Sequence, residues 1–254
     1  MEPPSSPSLV PFRLENDLAA LSLSGFPTDA THLSQTPFIV GITGGRFSGK
    51  TCMVDVLRQE IGRQPLLQDR HVLALDQDDF YRELGEAERE LAQQGKLNMD
   101  HPDAFDFDHL EQVLEALKAG ESVTLPRWDP ENCCRTAGAT VTSKPDVVLL
   151  TGVLLLYKRR VRQLLSLMVF VDIDSDTRLS RQVVALMNRS EHQESTSLSA
   201  MLHHYTFIAK PSFEEFIQPT KRWADIIVPK GRENAVAINM ILQHLNELFK
   251  PTTR

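Results

Sequence analysis

From residue 37 onward the chain alternates short apolar runs with amphipathic segments. Residues 38–43, 71–75, 147–151, 168–172 and 225–228 are compact runs rich in Val, Ile or Leu. Runs that stay apolar at successive positions fit strands covered on both faces. Between them lie stretches of helical period: Leu110, Val113, Leu114 and Leu117 before Gly120, and Val54, Leu57 and Ile61 before Gly62. A last such stretch covers about residues 234–249. Apolar positions at i, i+3, i+4 and i+7 followed by glycine mark an amphipathic helix and its end. Strands alternating with helices predict the α/β class, a doubly wound parallel sheet.

Three segments break this rhythm. Residues 1–36 are rich in Pro, Ser and Thr with one weak helical stretch at 14–23, and are expected to form a disordered leader ahead of one domain at 37–250. Two β-prone pieces, 123–125 and 139–142, flank a polar loop at 128–138 and predict a hairpin inserted near 123–141. A polar run at 191–199 between two helical patterns predicts a surface flap, reaching back to about residue 181. His203 and His204 read as helix-face residues, and Trp223 as packing ahead of the last strand.

Composition narrows the possibilities. The 254 residues are 41% hydrophobic and 24% charged, which suits a soluble domain with one substantial core. With 27 Lys and Arg against 34 Asp and Glu the formal charge is -7, so the basic footprint of a nucleic-acid binder is lacking. The three cysteines show no zinc spacing and read as reduced thiols, consistent with a cytoplasmic location. No apolar run approaches the roughly 20 residues of a membrane span, and no secretory signal opens the chain.

The chemistry begins at the end of the first strand. Gly44, Gly45, Arg46, Phe47, Ser48, Gly49, Lys50 and Thr51 form a complete G-x-x-x-x-G-K-[ST] phosphate loop between a strand and a helix. Such a loop curls backbone N–H groups around phosphate oxygens at a helix N-terminus, while Lys50 reaches the β- and γ-oxygens and Thr51 offers a hydroxyl to Mg²⁺. The second strand runs into Asp76, Gln77, Asp78, Asp79, Phe80 and Tyr81, a carboxylate cluster at the sheet edge where open α/β folds bind ligands. A kinase acting on an alcohol uses one carboxylate to orient the hydroxyl and take its proton, and another near the metal. An acidic loop taken alone is more often a solvated turn or a helix cap.

These residues, together with the stretches 100–106, 174–181, 210–216 and 219–221, resemble the uridine-cytidine kinases over about residues 38–249. The resemblance implies transfer of the ATP γ-phosphoryl group to the 5′-hydroxyl of uridine or cytidine, with ATP and Mg²⁺ as cofactors and a homo-oligomer as a candidate assembly. It places Asp78 at the catalytic base, beside the metal with Thr51, and Asp100 at the carboxylate that holds the ribose hydroxyls. It places Tyr81 and Trp128 in the nucleoside pocket, and Arg181 and Gln182 on the flap.

The departures from that family concern charge. The family's glutamate near the metal is Thr151 here, followed by Gly152. Its hairpin Tyr, Phe and His are Trp128, Pro130 and Cys133. Flap arginines of the family are replaced by Gln182 and Ala185, leaving Arg178, Arg181 and Arg189. Arginines of this kind supply several kcal/mol to a phosphoryl-transfer transition state, roughly 10³-fold in rate. Three readings therefore stand: a nucleoside kinase with weakened activity, a kinase with an altered acceptor, and a nucleotide-binding regulator without turnover.

Overall fold

The computed structural model describes residues 36–188, 197–231 and 234–250. All but the last residue of the leader expected at 1–36, and residues 189–196 of the expected flap with Arg189, lie outside the described residues. Five parallel strands form the main sheet in the order β2-β5-β1-β6-β7, where β1 is Phe38–Gly44, β2 Val72–Asp76, β5 Val147–Gly152, β6 Leu167–Asp172 and β7 Ile226–Pro229. Every residue of β1 and β5 is buried. This is why their sequences show no polar alternation: both faces are covered.

Alternation reappears in which face each residue serves. Val40 and Ile42 of β1, with Val147 and Leu149 of β5, meet Met53, Leu57 and Ile61 of α1 (Lys50–Ile61) and Ile238, Ile241 and Leu245 of α8 (Ala235–Leu248). Ile39, Val148 and Leu150 face the other way, onto Leu110, Val113, Leu114 and Leu117 of α3 (Phe107–Ala119) and Val161 of α4 (Arg159–Leu164). Each fully buried Leu or Ile contributes about 1.5–3 kcal/mol, so the two layers hold the sheet between them. Local signals set the helix ends. The Asp106 carboxylate accepts from His109 N–H at 3.0 Å to start α3, Gly120 ends it at φ 77°, and Asn234 caps α8 through Ala237 N–H at 3.0 Å.

The hairpin is β3 (Val123–Asp129) paired antiparallel with β4 (Cys134–Val141). Its strands are longer than the sequence pattern predicts, and the loop expected at 128–138 shrinks to a tight turn carrying Cys133 at φ 47°. Val123, Leu125, Trp128 and Val141 pack against the core, but the rest of the two-stranded ribbon is largely exposed, so Arg127, Arg135 and Thr136 sit in strands. Arg135 ties the ribbon down, donating to the Tyr81 carbonyl and pairing with Asp106 at 3.1 Å.

After the short α2 (Glu86–Gln93) and α5 (Ser175–Met187), the chain re-enters as α6 (Leu198–His204). It continues through two π-helical segments, Tyr205–Ala209 and Phe213–Ile217, separated by α7 (Lys210–Ser212) and closed by a 3₁₀ segment, Gln218–Trp223. His203 and His204 lie on α6 as expected. Trp223 does not pack into the core: it is 43% exposed, held between the guanidinium groups of Arg162 and Arg222. No helix among the described residues is long and apolar enough to cross a membrane.

Candidate active site

The central strand β1 ends in the phosphate loop. Gly44 at φ 146° and Gly49 at φ 92° take conformations that side chains resist, so the backbone can turn back on itself before α1 begins. Helix α1 has no side-chain cap, which leaves its first N–H groups open toward a cavity of about 540 Å³. Lys50 folds over the loop, its Nζ donating to the carbonyls of Gly44 at 3.0 Å and Gly45 at 2.9 Å. Burial, with the neighbouring Arg46 charge, brings the Lys50 amine down to about 8. Thr51 lines the same cavity. The Ser48 hydroxyl is fully buried and has no hydrogen-bond partner.

That donor set fits a polyphosphate. Open helix N–H groups and a lysine resting on neutral carbonyls are groups that an anion satisfies. It also fits Mg²⁺ of the kind that rests on one or two side chains and the phosphates themselves: Thr51, Asp76 and Asp78 line the cavity, and among the described residues no three His, Cys, Asp or Glu are grouped so that they could hold a metal ion by themselves.

Strand β2 positions the opposite wall. Asp76 ends the strand and its carboxylate accepts from Asp78 N–H at 3.0 Å, which caps the 3₁₀ turn Gln77–Phe80 and fixes Asp78 toward the loop. Burial, reinforced by the Asp78 charge, raises the Asp76 carboxyl above its ordinary value. Asp76 is the register partner of Thr151 on β5, whose buried hydroxyl donates to the Leu75 carbonyl at 3.4 Å. The carboxylate at this sheet edge therefore belongs to β2.

Asp100 arrives from the turn before the 3₁₀ segment Pro102–Ala104, its N–H donating to Asn98 Oδ1 at 3.1 Å, while Asn98 reaches Ser212 at 2.8 Å. Arg46 joins the walls. Its Nε donates to Asp100 at 2.5 Å, its terminal nitrogens donate to Asp78 at 2.9 and 3.5 Å, and one of them also donates to the Tyr81 hydroxyl. Burial alone would raise the Asp78 carboxyl, but the Arg46 guanidinium, helped by Lys50 and Tyr81, outweighs it and holds Asp78 below the ordinary range. Tyr81 stacks on Phe105 at 4.5 Å and meets Trp128 edge-on at 5.0 Å, and the Trp128 backbone N–H donates to the Asp79 carboxylate at 3.0 Å. The hairpin is thereby seated on the acidic turn. His101 serves structure, its Nδ1 accepting from Asp103 N–H at 3.1 Å and its ring meeting Phe216 edge-on at 4.7 Å.

The structure thus brings Arg46, Lys50, Thr51 and Asp78 to one cavity; Asp100 lines the small cavity that Arg46 also reaches, and Tyr81, buried, bonds Arg46 from behind while Trp128 packs on Tyr81. Arg181 lines the large cavity and donates to the carbonyls of Phe47 at 3.3 Å and Ser48 at 3.1 Å, and Gln182 lines a small cavity together with Arg46, Asp100, Arg178, Tyr205 and Phe213. Phe47, at φ 59°, is 39% exposed at the loop tip. Cys133 is buried in the hairpin turn, its thiol directed at the Pro130 carbonyl at 3.5 Å. Two residues gain weight that pattern alone did not assign: Asp76, seen only as one of a cluster, and Arg46, seen only as a loop member. A basic side chain inside a phosphate loop was the available signal for Arg46, but its partners lie 32 and 54 residues away.

A phosphate loop on the central strand of a parallel sheet, faced by an acidic turn from the edge strand, defines the class as a phosphate-loop kinase fold. The chain belongs to the phosphoribulokinase/uridine kinase family, whose model matches residues 39–237. It is 38% identical over 221 residues to uridine-cytidine kinase 2-B of Danio rerio, covering 86% of this chain and 82% of that protein. It is 36% identical over 230 residues to uridine kinase-like protein 4 of Arabidopsis thaliana, covering 91% of this chain and 46% of that protein. The chain therefore spans most of the Danio relative and about half of the plant one. Among solved structures, D-glycerate 3-kinase of Cryptococcus neoformans shares the fold, with a TM-score of 0.56 at 17% identity over 77% of this chain and 87% of that one.

Proposed function

We propose that the protein transfers the γ-phosphoryl group of ATP, with Mg²⁺, to the 5′-hydroxyl of a pyrimidine ribonucleoside, uridine or cytidine. The observation that carries this reading is the convergence of Asp78 and Asp100 on one guanidinium beside the phosphate loop. Two carboxylates held so close, one at the loop and one buried behind it, suit a diol or triol acceptor: one accepts the reacting proton and the other the remaining hydroxyls. In the transfer the acceptor O–H proton passes to Asp78, the acceptor oxygen bonds to phosphorus, and the bond to the ADP oxygen breaks. Lys50 and the loop N–H groups hold the phosphates. Mg²⁺ supplies neutralisation of charge on the phosphate oxygens, with Thr51 and the Asp76 and Asp78 carboxylates as its protein-side neighbours. Trp128, half-buried on the hairpin and held edge-on against the buried Tyr81 ring, is the aromatic surface this reading offers to a pyrimidine base.

A coupled ADP-release assay with Mg-ATP and a nucleoside panel tests this, alongside Lys50→Ala. Turnover confined to pyrimidine ribonucleosides and lost in the variant is the expected result. Turnover with another alcohol alone would move the acceptor. A second reading, a nucleotide-binding regulator, is favoured by Thr151, Gln182 and Ala185, where the family resemblance leads one to expect charge. ATP binding without turnover on any nucleoside would establish it. Cytoplasmic pyrimidine salvage is the setting in which the first reading makes sense.

A further inference from the structure

Arg46 differs from every other cation of the cleft in what it holds. Lys50 and Arg181 rest on backbone carbonyls of the loop. Arg178 is buried against the Phe213 ring at 3.7 Å and donates to the Ile173 carbonyl at 3.2 Å. Arg46 alone bridges two carboxylates, and they are the pair that an acceptor's hydroxyls need. It lines both the large cavity over the phosphate loop and the small one beside Asp100. An acceptor entering this wall must take oxygens from the guanidinium. A charged group that loses its ion pairs in a half-buried site needs another anion, and the one nearest a side chain carried on the phosphate loop is the transferring phosphoryl group.

We propose that Arg46 is a catalytic cation that serves two partners in turn: the Asp78 and Asp100 carboxylates while the loop is empty, and the terminal phosphoryl group once a nucleoside triphosphate is bound. The same residue thereby opens the acceptor wall and brings to the transfer a charge of the kind absent at Gln182 and Ala185. The inference rests on the reading that a nucleoside triphosphate occupies the phosphate loop, and not on which acceptor is used.

Binding measurements test it without turnover. Calorimetry with Mg²⁺ and either a non-hydrolysable imido-triphosphate or ADP compares the native protein with Arg46→Met and Arg46→Lys. Loss of one charge-assisted contact predicts that Arg46→Met weakens the triphosphate analogue by about tenfold or more and ADP by less than about threefold, with Arg46→Lys between. Equal losses for both ligands, or none for either, would overturn the proposal. Native protein provides an arm free of folding risk: the Arg46 Nε–H resonance, assigned through Arg46→Lys, is expected to shift on adding the analogue and to stay in place with ADP. A resonance indifferent to both, or moved equally by both, contradicts it. A protein that binds the analogue through Arg46 yet phosphorylates no nucleoside would sink the kinase reading and leave this inference standing. A working nucleoside kinase whose triphosphate affinity ignores Arg46 would do the reverse.

Discussion

The two walls of the cleft are charged in opposite ways and satisfied in opposite ways. On the phosphate side, Lys50 and Arg181 hold only neutral carbonyls. On the acceptor side, Asp78, Asp100 and Tyr81 are all engaged by one arginine. An anion arriving at the first wall adds interactions without breaking strong ones. A neutral acceptor arriving at the second must displace charge-assisted bonds, each stronger than the neutral ones it offers in return. On the proposed reading, the phosphate site is open in the free protein while the acceptor's carboxylates are already paired, so the two are expected to fill in order.

The largest effect that would break this comparison is at Asp78. Asp78→Asn keeps the shape and removes the base, and a fall in kcat of about 10³-fold with nucleotide affinity nearly unchanged is expected. Steady-state kinetics beside a nucleotide titration checks it, and unchanged turnover would remove Asp78 from the chemistry. Next is Asp100, buried and, on the proposed reading, acting on the acceptor alone. Asp100→Asn is expected to raise KM for the nucleoside by about 10- to 100-fold with a smaller change in kcat. An equal loss in kcat and KM for ATP would place Asp100 on the phosphate side instead.

Legibility in the sequence divides along the same line. The phosphate loop is contiguous, so its strand, turn and helix could all be expected from eight residues, and the inner strands β1, β5 and β6 announced themselves because burial on both faces leaves an uninterrupted apolar run. The acceptor wall is assembled from residues 46, 78, 81, 100 and 128, and no local pattern records that Arg46 reaches across to Asp100. The hairpin strands were under-read because a largely exposed ribbon needs little apolar alternation. Trp223 was over-read, since a large apolar ring can lie at the surface when guanidinium groups cover it.

A pH series sharpens the phosphate side. With the Lys50 amine at about 8 in the free protein, the site is already protonated below that pH and triphosphate affinity should be level there. Above it, binding must take up a proton, because phosphate favours the charged lysine. Affinity should then fall by up to about tenfold per pH unit, with proton uptake visible when calorimetry is repeated in buffers of different ionisation enthalpy. Affinity that rises with pH through this window would contradict the assignment. The smallest expected effect is at the junction of the walls. Asp76 is the carboxylate beside Thr151, and Asp76→Asn should raise the Mg²⁺ concentration for half-maximal nucleotide binding by about two- to fivefold, the worth of one partly screened charge. No change in Mg²⁺ requirement would leave Asp76 only its cap of the 3₁₀ turn.

The contrast between an open wall and a self-paired one is tested most directly by titrating uridine or cytidine calorimetrically into the protein with and without the Mg²⁺ complex of the imido-triphosphate. If Arg46 must leave Asp78 and Asp100 before an acceptor enters, the nucleoside binds at least about tenfold more tightly when the phosphate loop is filled. Equal affinity in the two titrations would contradict the account.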